Sequence, residues 1–334
     1  ETWSGVKCIN KRFVRVCSLL LVCSLCTISG TGCGENRLED AFEADLPGIG
    51  IQTSEESSKI PYFASDLCVT DTDVQDIEAD TEDALAACFF NLNEKKVLYA
   101  KNIHERMYPA STTKIMTALV ALDNGDLDAQ TTVSKEAITF SESGVSTAKL
   151  KEGDVLTLRQ LLYALLTVSA NDAANVIAEQ IAGSQDAFVE MMNQEAQKIG
   201  ATNTHFVNAN GLHSEDHYTT VYDLYLMFNA AMQHEEFLQM LQEKEYQASY
   251  QAADGTTVEA VWSTTNQFTK GDVTVPDGVT AVGGKTGTTT AAMSCLVQLF
   301  EDAQGEQYVA IILGCKERGI LYQEMQTFLS NLNN

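Results

Sequence analysis

The chain has 334 residues, 45% of them hydrophobic, and a formal net charge of −25. That length and apolar content suffice for one large domain or two ordinary ones with a real core. The charge argues against a nucleic-acid partner, because phosphates call for a basic face.

At the N-terminus a basic cluster, Lys7, Lys11, Arg12 and Arg15, precedes the apolar run Val16 to Ile28. That run is shorter than the roughly 20 residues a membrane-spanning helix needs. A basic region and a short apolar region fit a secretory signal. Ser29-Gly30-Thr31-Gly32 and then Cys33 follow, an order that resembles a bacterial lipoprotein signal, in which the cysteine is lipidated. Gly30 stands where leucine is usual. An uncleaved anchor and plain secretion are the alternatives. Residues 1–33 are therefore read as the signal.

Residues 34–83 hold 15 acidic side chains against Arg37 and Lys59. Such a stretch reads as an acidic flexible linker. For the part after Ile60 the alternative is an ordinary acidic protein surface. Of nine cysteines, Cys68, Cys88, Cys295 and Cys315 lie beyond the signal. Their spacing matches no zinc pattern, and they read as buried free thiols.

Ordered structure is expected from Ala84, with residues 84–334 as one catalytic domain. "ALAACFFNL" and "KKVLYAKN" read as a β-hairpin. From Ser111 the pattern turns helical. Thr157 and Gln160 make a capping box before Leu158, Leu161, Leu162, Leu165 and Leu166. Ser184 caps a helix carrying Phe188, Met191, Met192 and Ile199, which ends at Gly200. Thr220 to Met232 is a further helix. Strands return at "VTAVGGKTG", "SCLVQLF" and "YVAIILG", and a helix from Ile320 to Leu332 closes the chain. A turn centred on residues 303 and 304 would put Cys295 opposite Ile312, leaving Cys315 about 10 Å out of register and unable to bridge. Strands at both ends with helices between predict an α+β fold: an antiparallel sheet flanked by helices, with a helical subdomain inserted at about 123–255.

Three polar clusters stand at the seams of this layout: Ser111-Thr112-Thr113-Lys114, Ser169-Ala170-Asn171 and Lys285-Thr286-Gly287. S-x-x-K alone is weak, since Ser4 to Lys7 and Ser146 to Lys149 also fit it. Only Ser111 opens an apolar helix, and the other two clusters each occur once and in order. The chemistry explains the spacing. A residue three positions on lies one turn below, on the same face, so Lys114 reaches the Ser111 hydroxyl. Buried near a second cation, its amine would be neutral and able to act as base. Ser169 is placed to relay a proton to a leaving amine, and Asn171 to hydrogen-bond a substrate amide. Lys285 and Thr286 offer a cation and a hydroxyl to a carboxylate. Gly287 lets a substrate backbone approach closely. The backbone N–H groups of Ser111 and Thr288 would form an oxyanion hole.

This combination is that of penicillin-binding proteins and class A β-lactamases. With "ERMYPASTTKIMTAL", "LLYALLTVSANDAA", "FVNANGLHSEDHYTT", "GGKTGTT" and "VAIILG" in order, the chain resembles the serine-type D-alanyl-D-alanine carboxypeptidases, low-molecular-mass penicillin-binding proteins. The resemblance runs from about Ala84 to the C-terminus. It implies a β-lactamase/transpeptidase-like fold and removal of the terminal D-alanine from peptidoglycan stem peptides through an acyl-Ser111 intermediate. It also implies β-lactams as inhibitors, no cofactor and no metal. The expected location is extracytoplasmic, on the outer face of the cytoplasmic membrane, with Cys33 as lipid anchor in place of the C-terminal membrane helix of many members. Two positions depart from the family: Ala170 replaces a glycine, and Met293 stands near another. The alternatives are a class A-like β-lactamase and a non-catalytic lipoprotein that binds wall peptides or penicillin. The first needs a glutamate in E-x-x-L-N, and the nearest match runs from Glu235 to Gln239. A zinc site at His213, Glu215 and His217 is weighed and set aside, because Gly211 and the polar run make that segment a loop.

Overall fold

The computed structural model describes residues 64–332. The signal, Cys33 and the first part of the expected linker lie outside them. A six-stranded antiparallel sheet has the order β1 (Val74–Gln75), β3 (Lys96–Lys101), β2 (Ala86–Asn91), β10 (Gln307–Cys315), β9 (Met293–Glu301), β8 (Thr280–Thr289). Its first hairpin joins β2 (Ala86–Asn91) to β3 (Lys96–Lys101) as expected, and Asn91 Oδ1 accepts the N–H groups of Asn93 and Glu94 in the turn. The late strands β8 (Thr280–Thr289), β9 (Met293–Glu301) and β10 (Gln307–Cys315) form a meander. β10 then pairs with β2, so the two ends of the domain close one sheet. Its central strands β2, β9 and β10 are almost wholly buried, as near-continuous apolar runs require when both faces are covered.

One face packs on α7 (Arg318–Leu329), where Phe328 stacks on Phe89 at 5.3 Å. The other carries the larger core, built around α1 (Lys114–Asn124), whose residues from Lys114 to Ala121 are all buried. Around α1 lie α2 (Leu158–Leu166), α3 (Asn171–Ala182), α4 (Gln185–Lys198) and α5 (Val221–Ala231). The capping box of Thr157 and Gln160 forms, and Ser184 and Thr220 cap α4 and α5.

Three expectations change. Residues 64–83 are not free linker. β1 (Val74–Gln75) pairs with β3, Cys68 is buried with its N–H on Tyr225 Oη, and Asp73 accepts the N–H groups of Asn102 and Ile103. A few apolar anchors (Leu67, Val74, Ile77) suffice when a sheet already exists to receive them. The stretch expected as a helical subdomain also holds a second sheet, β4 (Gln130–Thr132), β5 (Val155–Thr157), β6 (Glu245–Gln251) and β7 (Thr257–Ser263), which runs past residue 255. Lastly, an irregularity between Ile312 and Cys315 puts Cys315 opposite Ser294, one position from Cys295 rather than three. The two thiols belong to cores on opposite faces of the sheet, and all four described cysteines are free and buried.

Candidate active site

The three clusters converge. Residues Ala110–Thr113 form a 3-10 turn before α1, and Ala110 takes a left-handed φ of 49°. This turn presents Ser111 half-exposed while Lys114, the first residue of α1, is fully buried. Lys114 Nζ lies 3.0 Å from Ser111 Oγ and donates to Asn171 Oδ1 at 2.6 Å and to the carbonyl of Asn210. Burial, and secondarily the charge of Lys285, push its pKa well below the ordinary lysine value. A neutral amine has two N–H donors and one lone pair. The two carbonyl oxygens take both donors, so the lone pair is left facing the serine hydroxyl.

Ser169 stands between α2 and α3 in a left-handed conformation, φ 59°. That strained backbone turns its hydroxyl toward β8, where Lys285 Nζ donates to Ser169 Oγ at 2.9 Å and to the Thr286 carbonyl at 2.8 Å. Ala170, in the place expected for glycine, has φ −65°, which any residue tolerates. Lys285 is fully buried, and burial pushes its pKa down to about 7. Its ammonium is thus turned to Ser169 rather than held open to a carboxylate.

Thr286 and Thr288 alternate outward on β8 and are half-buried and exposed. Gly287 between them packs on the nucleophile turn. A Cβ there would come 2.9 Å from the Pro109 carbonyl oxygen and 3.0 Å from the Ser111 nitrogen. Glycine therefore serves here to let β8 approach the Ser111 backbone. Met293 adopts φ 56° at the start of β9, a left-handed conformation that favours glycine.

Several contributing residues had no role assigned from sequence. Asn210 supplies a main-chain carbonyl to Lys114, and its Nδ2 donates to Asn175 Oδ1 at 3.0 Å. His217 is buried, with Nε2 2.8 Å from Thr113 Oγ1, while its Nδ1 accepts the Val207 N–H. Burial chiefly, with His205, Lys114 and His213, pushes its pKa to about 3, so the ring is neutral. His213 is exposed and packs edge-on to Tyr108, so these histidines do not share a metal-binding face. No metal-binding group of side chains occurs among the described residues. Glu235, the nearest match to a β-lactamase glutamate, is exposed on α6 (Glu235–Gln242) and accepts from Gln239 at 3.0 Å. The repeated S-x-x-K at Ser146 to Lys149 lies beside the site in a different capacity: Asp172 accepts the N–H groups of Ala148 and Leu150.

Residues 73–317 match the family model described as D-alanyl-D-alanine carboxypeptidase, peptidase S11. The chain belongs to that family. Among its relatives, the carboxypeptidase DacB2 of Mycobacterium tuberculosis is 35% identical over 242 residues, covering 72% of this chain and 78% of DacB2. DacC of Escherichia coli is 31% identical over 77% of this chain and 62% of DacC. DacF of Bacillus subtilis is 38% identical over 46% of this chain, and the match spans only 40% of DacF. The fold is similar to the crystal structure of the Streptomyces K15 DD-transpeptidase, with a TM-score of 0.70 at 29% identity over 76% of this chain and 98% of that one. Within this family the α+β architecture expected from the sequence is the observed one.

Proposed function

We propose that the protein is a serine-type D-Ala-D-Ala carboxypeptidase that removes the terminal D-alanine of peptidoglycan stem peptides through an acyl-Ser111 intermediate. The observation that carries this reading is the hydrogen bonding of Lys114, whose lone pair is directed at Ser111. Ser111 Oγ attacks the carbonyl of the penultimate D-alanine as its proton passes to Lys114. The N–H groups of Ser111 and Thr288 receive the developing oxyanion. The amide C–N bond breaks as Ser169, held by Lys285, relays the proton taken up by Lys114 to the departing D-alanine amine, so that both side chains end as they began. Asn171, its Oδ1 engaged by Lys114, offers Nδ2 to the peptide. Water then attacks the ester carbonyl as Lys114 takes its proton, and that proton passes to Ser111 Oγ as the ester C–O bond breaks, freeing Ser111 and the shortened peptide.

Mass spectrometry of a purified stem pentapeptide after incubation tests the reaction: loss of one D-alanine is expected, and an unchanged peptide overturns it. Intact mass after mixing with penicillin tests the site. A long-lived adduct on Ser111 is expected, because the opened lactam keeps its leaving group tethered and no carboxylate hydrogen-bonds Ser111 or Lys114 among the described residues. Rapid clearance with sustained hydrolysis would favour a β-lactamase instead.

Such a substrate places the enzyme outside the cytoplasm. No described helix is long and apolar enough to cross a membrane. The anchor in this reading is a lipid on Cys33, with the acidic segment after it as tether. Cys33→Ala should release the protein from the membrane fraction and change its mature mass; unchanged fractionation and mass would remove the lipoprotein assignment.

A further inference from the structure

The buried position of Lys285 leaves a carboxylate without an obvious ion-pair partner on β8. Beside it is a hydroxyl pair. Thr265 Oγ1 lies 2.6 Å from Thr286 Oγ1, and both residues are half-buried. Thr265 lies two residues beyond the end of β7, and neighbouring elements fix its position. Its N–H donates to the carbonyl of Thr167, two residues before Ser169, at 3.1 Å. Its neighbour Thr264 donates its N–H to Lys244, and Asn266 Nδ2 donates to Gln298 Oε1 at 2.7 Å. The backbone around Thr265 is thus pinned, and its hydroxyl is aimed at the outward-facing threonine of the third cluster.

We infer that Thr265 is a specificity-determining residue, sharing with Thr286 the recognition of the substrate's terminal carboxylate. This rests on the reading above that the substrate ends in free D-alanine. In the free protein one hydroxyl must donate to the other. A carboxylate accepts from both, so its arrival exchanges one neutral hydrogen bond for two charge-assisted ones. A C-terminal amide presents one acceptor and an NH2 group instead, and the second hydroxyl gains no anionic partner. Lys285, behind the pair and bonded to the Thr286 carbonyl, supports the site through its field rather than by contact.

The test compares the parent with Thr265→Val and Thr265→Ser on an N-acylated L-lysyl-D-alanyl-D-alanine and on its C-terminal carboxamide. Valine keeps the shape and the backbone hydrogen bond but removes the donor. Thr265→Val should lower kcat/KM for the acid roughly tenfold or more, mainly through KM, and leave the amide nearly unchanged. Thr265→Ser should keep the parent's acid-to-amide preference. Acyl-enzyme formation with benzylpenicillin and with its methyl ester, read by intact mass, gives the same ratio independently of peptide turnover. Unfolding midpoints show whether each variant is folded, and serine keeps the proposal open to refutation where valine does not fold. A ratio unchanged by valine, or equal losses on both ligands, overturns the inference and leaves Thr265 a structural tie. A parent inactive on the acid peptide overturns the proposed function itself, a different outcome.

Discussion

Lys114 and Lys285 are both fully buried, yet burial leaves them with different tasks. Lys114 must be neutral to take a proton, whereas Lys285 serves Ser169 as a cation. Acylation should therefore rise with pH as Lys114 loses its proton, and fall again above about 7, where Lys285 loses its own. The rate of penicillin adduct formation against pH should be bell-shaped. In Lys285→Met the basic limb should vanish. The acid limb should move to higher pH, because the charge that helps hold Lys114 down is gone. A profile without a basic limb in the parent would contradict the role given to Lys285. Lys114→Ala should lose roughly 10²–10⁴-fold in acylation by penicillin and peptide alike.

At the scale of elements, the nucleophile turn is held by the loop 205–219. Met107 and Thr219 exchange backbone hydrogen bonds, Thr117 Oγ1 donates to the Ala209 carbonyl, and Asn210 and His217 reach Lys114 and Thr113. Gly211, with φ +83°, lies so close that any Cβ would collide with the Ala110 carbonyl. Gly211→Ala should displace the turn and reduce penicillin acylation at least roughly tenfold, with a lower unfolding midpoint. His217→Ala should slow acylation and raise the acid limb by loosening the loop that carries the Asn210 carbonyl, while His217→Gln, able to donate to Thr113, should restore much of both. A normal rate and profile in folded His217→Ala would show that the loop needs no such tie. Much of this region was illegible in sequence for a physical reason. Asn210 and Gly211 act through main-chain atoms and backbone shape, which side-chain motifs do not reveal. The helices and late strands were legible because caps and apolar periodicity mark them. The β6–β7 hairpin was not, since most of its outward residues are polar and its buried set is small: Ala248, Tyr250 and Trp262. The packing of residues 64–83 was hidden by their charge, because a few anchors against a preformed sheet outweigh a composition that alone suggests disorder.

For the whole molecule, two buried lysines impose a stability cost that depends on pH. Burial holds the folded pKa of Lys285 down at about 7, below the ordinary lysine value of 10.5 that applies when the chain is unfolded. Between these values the unfolded chain binds the extra proton, so stability rises with pH; below the folded value the cost is complete and constant. Lys114 acts in the same direction. The buried thiols Cys88, Cys295 and Cys315 act oppositely once unfolded thiols ionise near 9, since their folded pKa values are raised. A comparison between the parent and Lys285→Met cancels the thiols and, above about pH 7, where Lys285 is neutral and no longer acts on Lys114, leaves Lys285 as the difference. At pH 7 the variant should be at least as stable as the parent, because methionine fills the space without a charge to desolvate. From about pH 7.5 to 9 the parent should gain on the variant by ~1.4 kcal/mol per pH unit, read from urea unfolding at each pH. Penicillin acylation by the variant should stay depressed throughout, because the cation beside Ser169 is needed in the site even though it burdens the fold. A stability difference that does not change with pH would mean that Lys285 keeps its proton over this range, and the basic limb expected for acylation would then need another source.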